Sequence, residues 1–134
     1  MNASRSAKRV IWTGRILSAV PVLMMLLSAA IKLSRPPEAV DMFVHKFGYS
    51  ESHLLPLAIV EIACALLYAI PRTAFLGAVL VTGYLGGAVA THARVGDPGF
   101  LTPLVLGIVA WAGLYLRDIR LRHLMPLRRP DPTA

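Results

Sequence analysis

With a single cysteine, Cys64, the chain has no partner for an internal disulfide and no CxxC pair. Acids are scarce as well, seven Asp and Glu against fourteen Lys and Arg, and charged residues make up only 16% of the chain. The four histidines, His45, His53, His92 and His123, are scattered, with no H-x-x-x-H or E-x-x-H pair to share one helical face. No metal site is expected from such spacing. No nucleophile triad stands out. The one glycine cluster, Gly83-Tyr84-Leu85-Gly86-Gly87, lies inside an apolar stretch instead of after a strand, so it is not a dinucleotide fingerprint. A polar segment long enough for a separate soluble domain is also missing.

What the chain has in abundance is hydrophobicity: 56% apolar residues and a mean hydropathy of +0.62. A bilayer core takes about 17–25 mostly apolar residues per helix. Four stretches qualify, Ile11 to Leu33, Leu54 to Ile70, Ala74 to Thr91 and Phe100 to Leu116. They predict one all-α integral membrane domain over residues 1–134, a transmembrane four-helix bundle with helices near 10–33, 54–70, 74–92 and 100–117. Residues 118–134 read as a basic tail. The first run outlasts the h-region of a signal peptide and no A-x-A site follows it, so it is read as a retained helix.

The net charge of +7 would suggest nucleic acid in a soluble protein, but its distribution speaks for topology instead. With both termini in the cytoplasm, the inner side holds Arg5, Lys8, Arg9, Arg15, Arg72, Arg117, Arg120, Arg122, Arg128 and Arg129. The outer side holds Lys32, Arg35, Lys46 and Arg94, offset by Glu38, Asp41, Glu51 and Asp97. This is the positive-inside bias of a multi-pass protein of the cell (inner) membrane. The lipid bilayer is its first partner and nucleic acid is not expected; the Arg117–Arg129 stretch suits anionic lipid.

Residues 1–9 are polar and basic and read as loosely ordered. Arg15 and Lys32 bracket the first span, where their stems can snorkel to opposite interfaces. Pro21 within that span removes one backbone donor and predicts a kink, with Ser18 or a neighbouring helix available to the freed carbonyl. Between the first two spans, Pro36-Pro37-Glu38 opens a segment that Lys46 and Gly48 close. Val40, Phe43, Val44 and Phe47 follow i, i+3, i+4, i+7 spacing, which predicts a short amphipathic helix at the outer mouth or the lipid interface. Such a helix is either a half-buried tether or a functional lid. Pro71-Arg72 makes a turn so tight that the second and third spans must be antiparallel neighbours. On the third span, Ala74, Ala78, Thr82, Gly86 and Ala90, with Gly83, Gly87 and Thr91 alongside, form rows that favour close helix packing. The alternative is that this bare backbone leaves room for a ligand. Gly96-Asp97-Pro98-Gly99 has the composition of a turn.

One acid stands out. Glu61 lies in Ile59-Val60-Glu61-Ile62, about 10 Å from one end of its span and about 14 Å from the other at ~1.5 Å per residue. A carboxylate at that depth must be protonated, matched with a cation or exposed to a watery cavity. It is either a proton-accepting or ligand-anchoring group in a cleft, or a hydrogen bond that locks two helices. Lys32 is the candidate cation, against a plain role as a snorkelling anchor. His92 ends the third span and Tyr84 lies eight residues before it, so both point broadly one way. With Glu61 they form a candidate ligand-binding set, Glu61, Lys32, Tyr84 and His92, able to hold a quinone-like carbonyl or relay a proton. Cys64, one turn from Glu61, reads as a buried inert thiol.

The order of Ala30-Ile31-Lys32-Leu33, Pro36-Pro37-Glu38, Phe47-Gly48-Tyr49, Leu55-Pro56-Leu57, Glu61, Pro71-Arg72 and Gly83 through His92 resembles the DoxX-like family of small four-helix bacterial membrane proteins. The resemblance runs from about Gly14 to Arg117. It departs from the family pattern at Ala30, where glycine is common, and after Glu61, where Ile62-Ala63-Cys64 stands in place of a small glycine. The resemblance implies a four-helix bundle whose relatives include membrane subunits linked to sulfur-compound oxidation with quinone, or to thiol maintenance. It carries over no catalytic residue set. The leading expectation is a redox-associated subunit that binds a quinone or small apolar ligand near Glu61. The alternative is a non-enzymatic scaffold or assembly factor, holding a partner membrane protein or a second copy of itself through the small-residue face. A proton-coupled permeation path is a weaker third, since four short helices show no inverted repeat.

Overall fold

Apolar runs of this length fold as helices because lipid offers no water to satisfy backbone N–H and C=O groups. The computed structural model describes residues Asn2–Leu124, with side chains from Arg5 to Arg122. Helix α1 (Asn2–Ser34) is followed by α2 (Pro37–Asp41), which runs on into a π-helical turn (Met42–Lys46). Then come α3 (Leu54–Ala69), α4 (Ala74–Arg94), α5 (Leu101–Arg117) and α6 (Ile119–Leu124). Single 3-10 turns, Glu51–His53 and Pro98–Phe100, lead into α3 and α5, and no strand occurs among the described residues. Four of these helices, α1, α3, α4 and α5, are long and apolar enough to cross a membrane.

Two boundaries differ from the sequence expectation. Residues 2–9, read as loose, continue α1 as helix. They contain Ala, Ser, Lys and Arg without Gly or Pro, so nothing stops a helix already nucleated by the apolar span. The basic tail likewise opens with α6, whose Leu121 is buried in the core and whose Arg122 donates to the Tyr115 carbonyl at 3.0 Å. Pro126, Arg128, Arg129, Pro130 and Pro132 lie outside the described residues.

α1 packs between α3 and α5, and α4 packs between the same two on the other side. The four spans therefore form a square with α1 and α4 on one diagonal. Where helices touch most closely, glycine is required. A Cβ on Gly14 would fall 2.5 Å from the Arg117 backbone nitrogen, and one on Gly113 would fall 2.6 Å from Ser18 Oγ, so α1 and α5 approach to backbone contact. Gly77 of α4 meets the Leu67 and Tyr68 backbone of α3 in the same way. Tyr68 is fully buried there, with its hydroxyl 2.6 Å from the Ala110 carbonyl and 2.9 Å from Ser18 Oγ. A carbonyl can only accept, so Tyr68 gives it the single phenolic hydrogen and Ser18 donates to the phenol oxygen. Ser18 thus serves a neighbouring helix beside Pro21, not the carbonyl that proline frees.

The small-residue rows of α4 are only partly packing surface. Ala74 and Ala78 are buried, but a Cβ at Gly83, Gly86 or Gly87 would meet nothing within 4 Å. The helices are drawn together near the chain termini and part towards the opposite end. There the chain turns back at Arg35, which adopts a left-handed φ of 50° while its N–H bonds the Ile31 carbonyl at 3.1 Å. The segment that follows lies across this wider end.

Candidate functional site

Parting of the helices leaves a cavity of about 670 Å³, lined by all four spans and by the segment after α1. Most of its wall is apolar, including Met25, Leu54, Leu57, Leu85 and Leu106. Polar groups enter at a few points.

Glu61 projects from the buried face of α3 and its side chain is only 4% exposed. Lys32 of α1 meets it: Nζ lies 2.8 Å from Glu61 Oε2 and donates at 2.6 Å to Ser28 Oγ, one turn earlier on the same helix. Lys32 is 16% exposed, so its stem runs inward along the cavity wall and not outward to the headgroups. The snorkelling role expected for it gives way to an ion pair, because an unpaired carboxylate at this depth costs more than bending a flexible stem. The ion pair occupies Glu61 Oε2, and Oε1 has no hydrogen bond within 3.5 Å among the described residues, although the Tyr84 phenol lies within reach of the same carboxyl. Tyr84 of α4 lines the same space with its phenol beside Glu61 and Cys64.

His92 lies at the other end of the cavity, beneath the segment that follows α1. Its Nδ1 is 2.8 Å from Asp97 Oδ2, an oxygen that also receives Lys46 Nζ at 3.0 Å. Asp97 Oδ1 accepts the Gly99 N–H at 3.0 Å. That backbone bond, then Lys46 and His92, hold the Asp97 carboxyl well below the usual carboxylate range. A Cβ on Gly99 would sit 2.8 Å from His92 Nδ1, so a side chain there would push the imidazole from its place.

The π-helical turn positions the roof. Cavity-facing residues of this segment are Ala39, Met42, Phe43 and Phe47, whereas Val40 and Val44 of the expected stripe are half-buried beside them. The four stripe positions are all less exposed than Asp41, Met42, His45 and Lys46 between them, so the expected amphipathic face holds, with Met42 reaching the cavity beside it. Phe43 packs against Tyr49 at 5.1 Å between ring centroids, and Phe47 stands edge-on to His92 at 4.7 Å. Arg94 donates to the Phe47 carbonyl, and the Tyr49 hydroxyl pairs with Thr91 Oγ1 at 2.8 Å. The segment is therefore fastened to α4 and its following turn by four side-chain contacts.

Glu61, Lys32, Tyr84 and His92 all line this one cavity. Ser28, Lys46, Tyr49 and Asp97 were not singled out from the sequence. Ser28 carried a signal in its four-residue spacing from Lys32, while Asp97 was masked by its turn chemistry. Chemically, the arrangement offers Lys32 and Tyr84 as donors and the second oxygen of Glu61 as an acceptor, within mostly apolar walls.

No curated protein and no solved structure is detectably similar to the chain. Residues 16–113, which include both members of the ion pair, the whole of α3 and α4 and parts of α1 and α5, match the DoxX-like family. The chain is a multi-pass membrane protein of the DoxX-like family.

Proposed function

We propose that the protein binds a quinone, or another small apolar molecule with a hydrogen-bonding head, in the cavity at Glu61, as a membrane subunit of a redox system. The observation that carries this reading is the buried Lys32–Glu61 pair in an otherwise apolar cavity of about 670 Å³. Ionisable groups at membrane depth are costly and mark functional sites. A cavity of this size lies in the usual range for small-molecule sites. Lys32 and Tyr84 suit a quinone carbonyl. Glu61 Oε1 suits the hydroxyl of the reduced form, and His92 supplies a second polar end beneath the roof.

Anaerobic titration of the purified protein with tetramethyl-p-hydroquinone tests this reading. Binding should weaken at least tenfold in Glu61→Gln, the ~1.4 kcal/mol or more expected from losing one charge-assisted hydrogen bond. Equal affinity in the two proteins refutes it.

The protein sits in the inner membrane with both termini in the cytoplasm, and the roofed end of the cavity faces outward. Support comes from the ten basic residues on the terminal side of the chain against four on the other. A thiol-reactive, membrane-impermeant label should modify Ser50→Cys from outside intact cells; labelling only after lysis reverses the orientation.

A further inference from the structure

α4 buries Ala74, Ala78, Val81 and Leu85 towards the other helices. Gly83 and Gly87 each stand two residues from Leu85, which places them about 160° around the helix, on the face turned to lipid. Both nevertheless line the cavity. The void that holds Lys32 and Glu61 therefore does not end at the inner face of α4 but continues around its flank.

The flank is identified by Gly77. Tyr84 lies seven residues beyond Gly77, two helical turns along nearly the same line. Gly77 touches the α3 backbone, so Tyr84 stands on the side of α4 that faces α3. At Gly77 the two helices are in contact; at Tyr84 they have parted, with Leu57 and Glu61 of α3 across the cavity. A Cβ on Gly83 or Gly87 would meet no atom within 4 Å, so neither glycine packs against another helix of this chain among the described residues. Their bare backbone instead widens the passage beside Tyr84.

We infer that the cavity opens sideways into the bilayer between α3 and α4, through a portal bordered by Gly83 and Gly87, and that its ligand is an amphiphile with one long apolar tail lying in that portal. This rests on the ligand reading of the cavity and adds the route of entry and the tail. The head reaches Glu61 and Tyr84, while the tail follows the bare backbone of α4 out to the acyl chains. The roof, held by Lys46, Tyr49 and Arg94, need not open for such a molecule to enter.

Two probes separate the portal from the cavity: tetramethyl-p-benzoquinone, which has no tail, and a benzoquinone carrying a ten-carbon chain. Binding to the full chain in lipid nanodiscs is compared for the native protein, Gly83→Leu, Gly87→Leu and, as a control on the neighbouring face, Gly86→Leu. The expected result is at least tenfold weaker binding of the tailed probe in Gly83→Leu and Gly87→Leu. The tailless probe should be unaffected, and Gly86→Leu should bind both like the native protein. Unchanged binding of the tailed probe overturns the portal and leaves the cavity reading intact. Equal loss of both probes also overturns it, by placing the glycines in the head site. No binding of either probe to the native protein sinks the cavity reading and the portal together. If the leucine variants do not fold, Gly87→Cys in a Cys64→Ala background gives the same answer. The tailed probe should slow alkylation of that cysteine by N-ethylmaleimide and the tailless one should not; absence of protection overturns the proposal.

Discussion

Replacing Lys32 by Met removes the only cation paired with Glu61 among the described residues and leaves the carboxylate in place, 4% exposed. Two unit charges 2.8 Å apart attract by about 6 kcal/mol at an effective dielectric constant of about 20. Most of that attraction is offset by the cost of taking both ions out of water, so the pair as a whole adds little stability. Breaking it is a different matter: removing one partner of a buried pair costs about 3–5 kcal/mol. Lys32→Met should fall in that range. Glu61→Leu should cost less, about 2–3 kcal/mol, because the ammonium keeps Ser28 and its flexible stem can carry it towards water. Lys32→Met/Glu61→Leu, which removes both charges, should lie within about 1 kcal/mol of the native protein. The cycle therefore predicts a coupling of about 4 kcal/mol or more, read from reversible unfolding in mixed detergent and SDS micelles. Singles that add to the double within about 0.5 kcal/mol would show the two groups to be independent and refute the reasoning.

The glycines of α4 should divide by position. Gly77→Ala forces a methyl into the Leu67–Tyr68 backbone and should destabilise by about 1–3 kcal/mol, whereas Gly86→Ala meets nothing and should stabilise by about 0.5–1 kcal/mol through helix propensity; the same unfolding assay decides, and equal effects would be inconsistent with the close approach of α3 and α4 at Gly77. Asp97→Asn should release Lys46 and His92 and raise hydrogen exchange across residues 37–50, measured by mass spectrometry, while leaving α3 protected. Because the folded state holds the Asp97 carboxyl below its ordinary range, its contribution is complete above the ordinary aspartate pKa and is lost as pH falls through the depressed value. After correction for intrinsic exchange, protection of 37–50 should stay level from pH 7 down to about 4, just above the ordinary aspartate pKa; loss of protection within that interval contradicts the assignment.

The spans were legible because their signal is local. Twenty or so apolar residues in a row need no partner to be recognised, and the Pro-Pro entry and Gly48 bounded the connecting segment equally well. Glu61 was legible for the same reason, as the one acid inside a span. The α4 rows were harder. Small residues look alike in sequence whether they let another helix approach, as Gly77 does, or face open space, as Gly83 and Gly87 do. Within the chain no helix packs on Gly83 or Gly87, because the buried residues of α4 turn those positions away from its neighbours, and which face is buried is a property of the assembled helices. The stripe of Val40, Phe43, Val44 and Phe47 did form the less exposed face of its segment, although a π turn that no residue announces runs through it.

By itself the sequence determined the membrane address, the number of crossings and the likeness to the DoxX-like family, since hydrophobic length and motif order are written along the chain. Only the tertiary structure decided that Lys32 turns inward to Glu61 across 29 positions, that Asp97 gathers Lys46 and His92, and that the cavity reaches round α4. The physical reason is that lipid and protein interior are both apolar. A span hydrophobic on every side does not advertise which face meets a neighbour, and pairings between faces exist only once the helices are side by side.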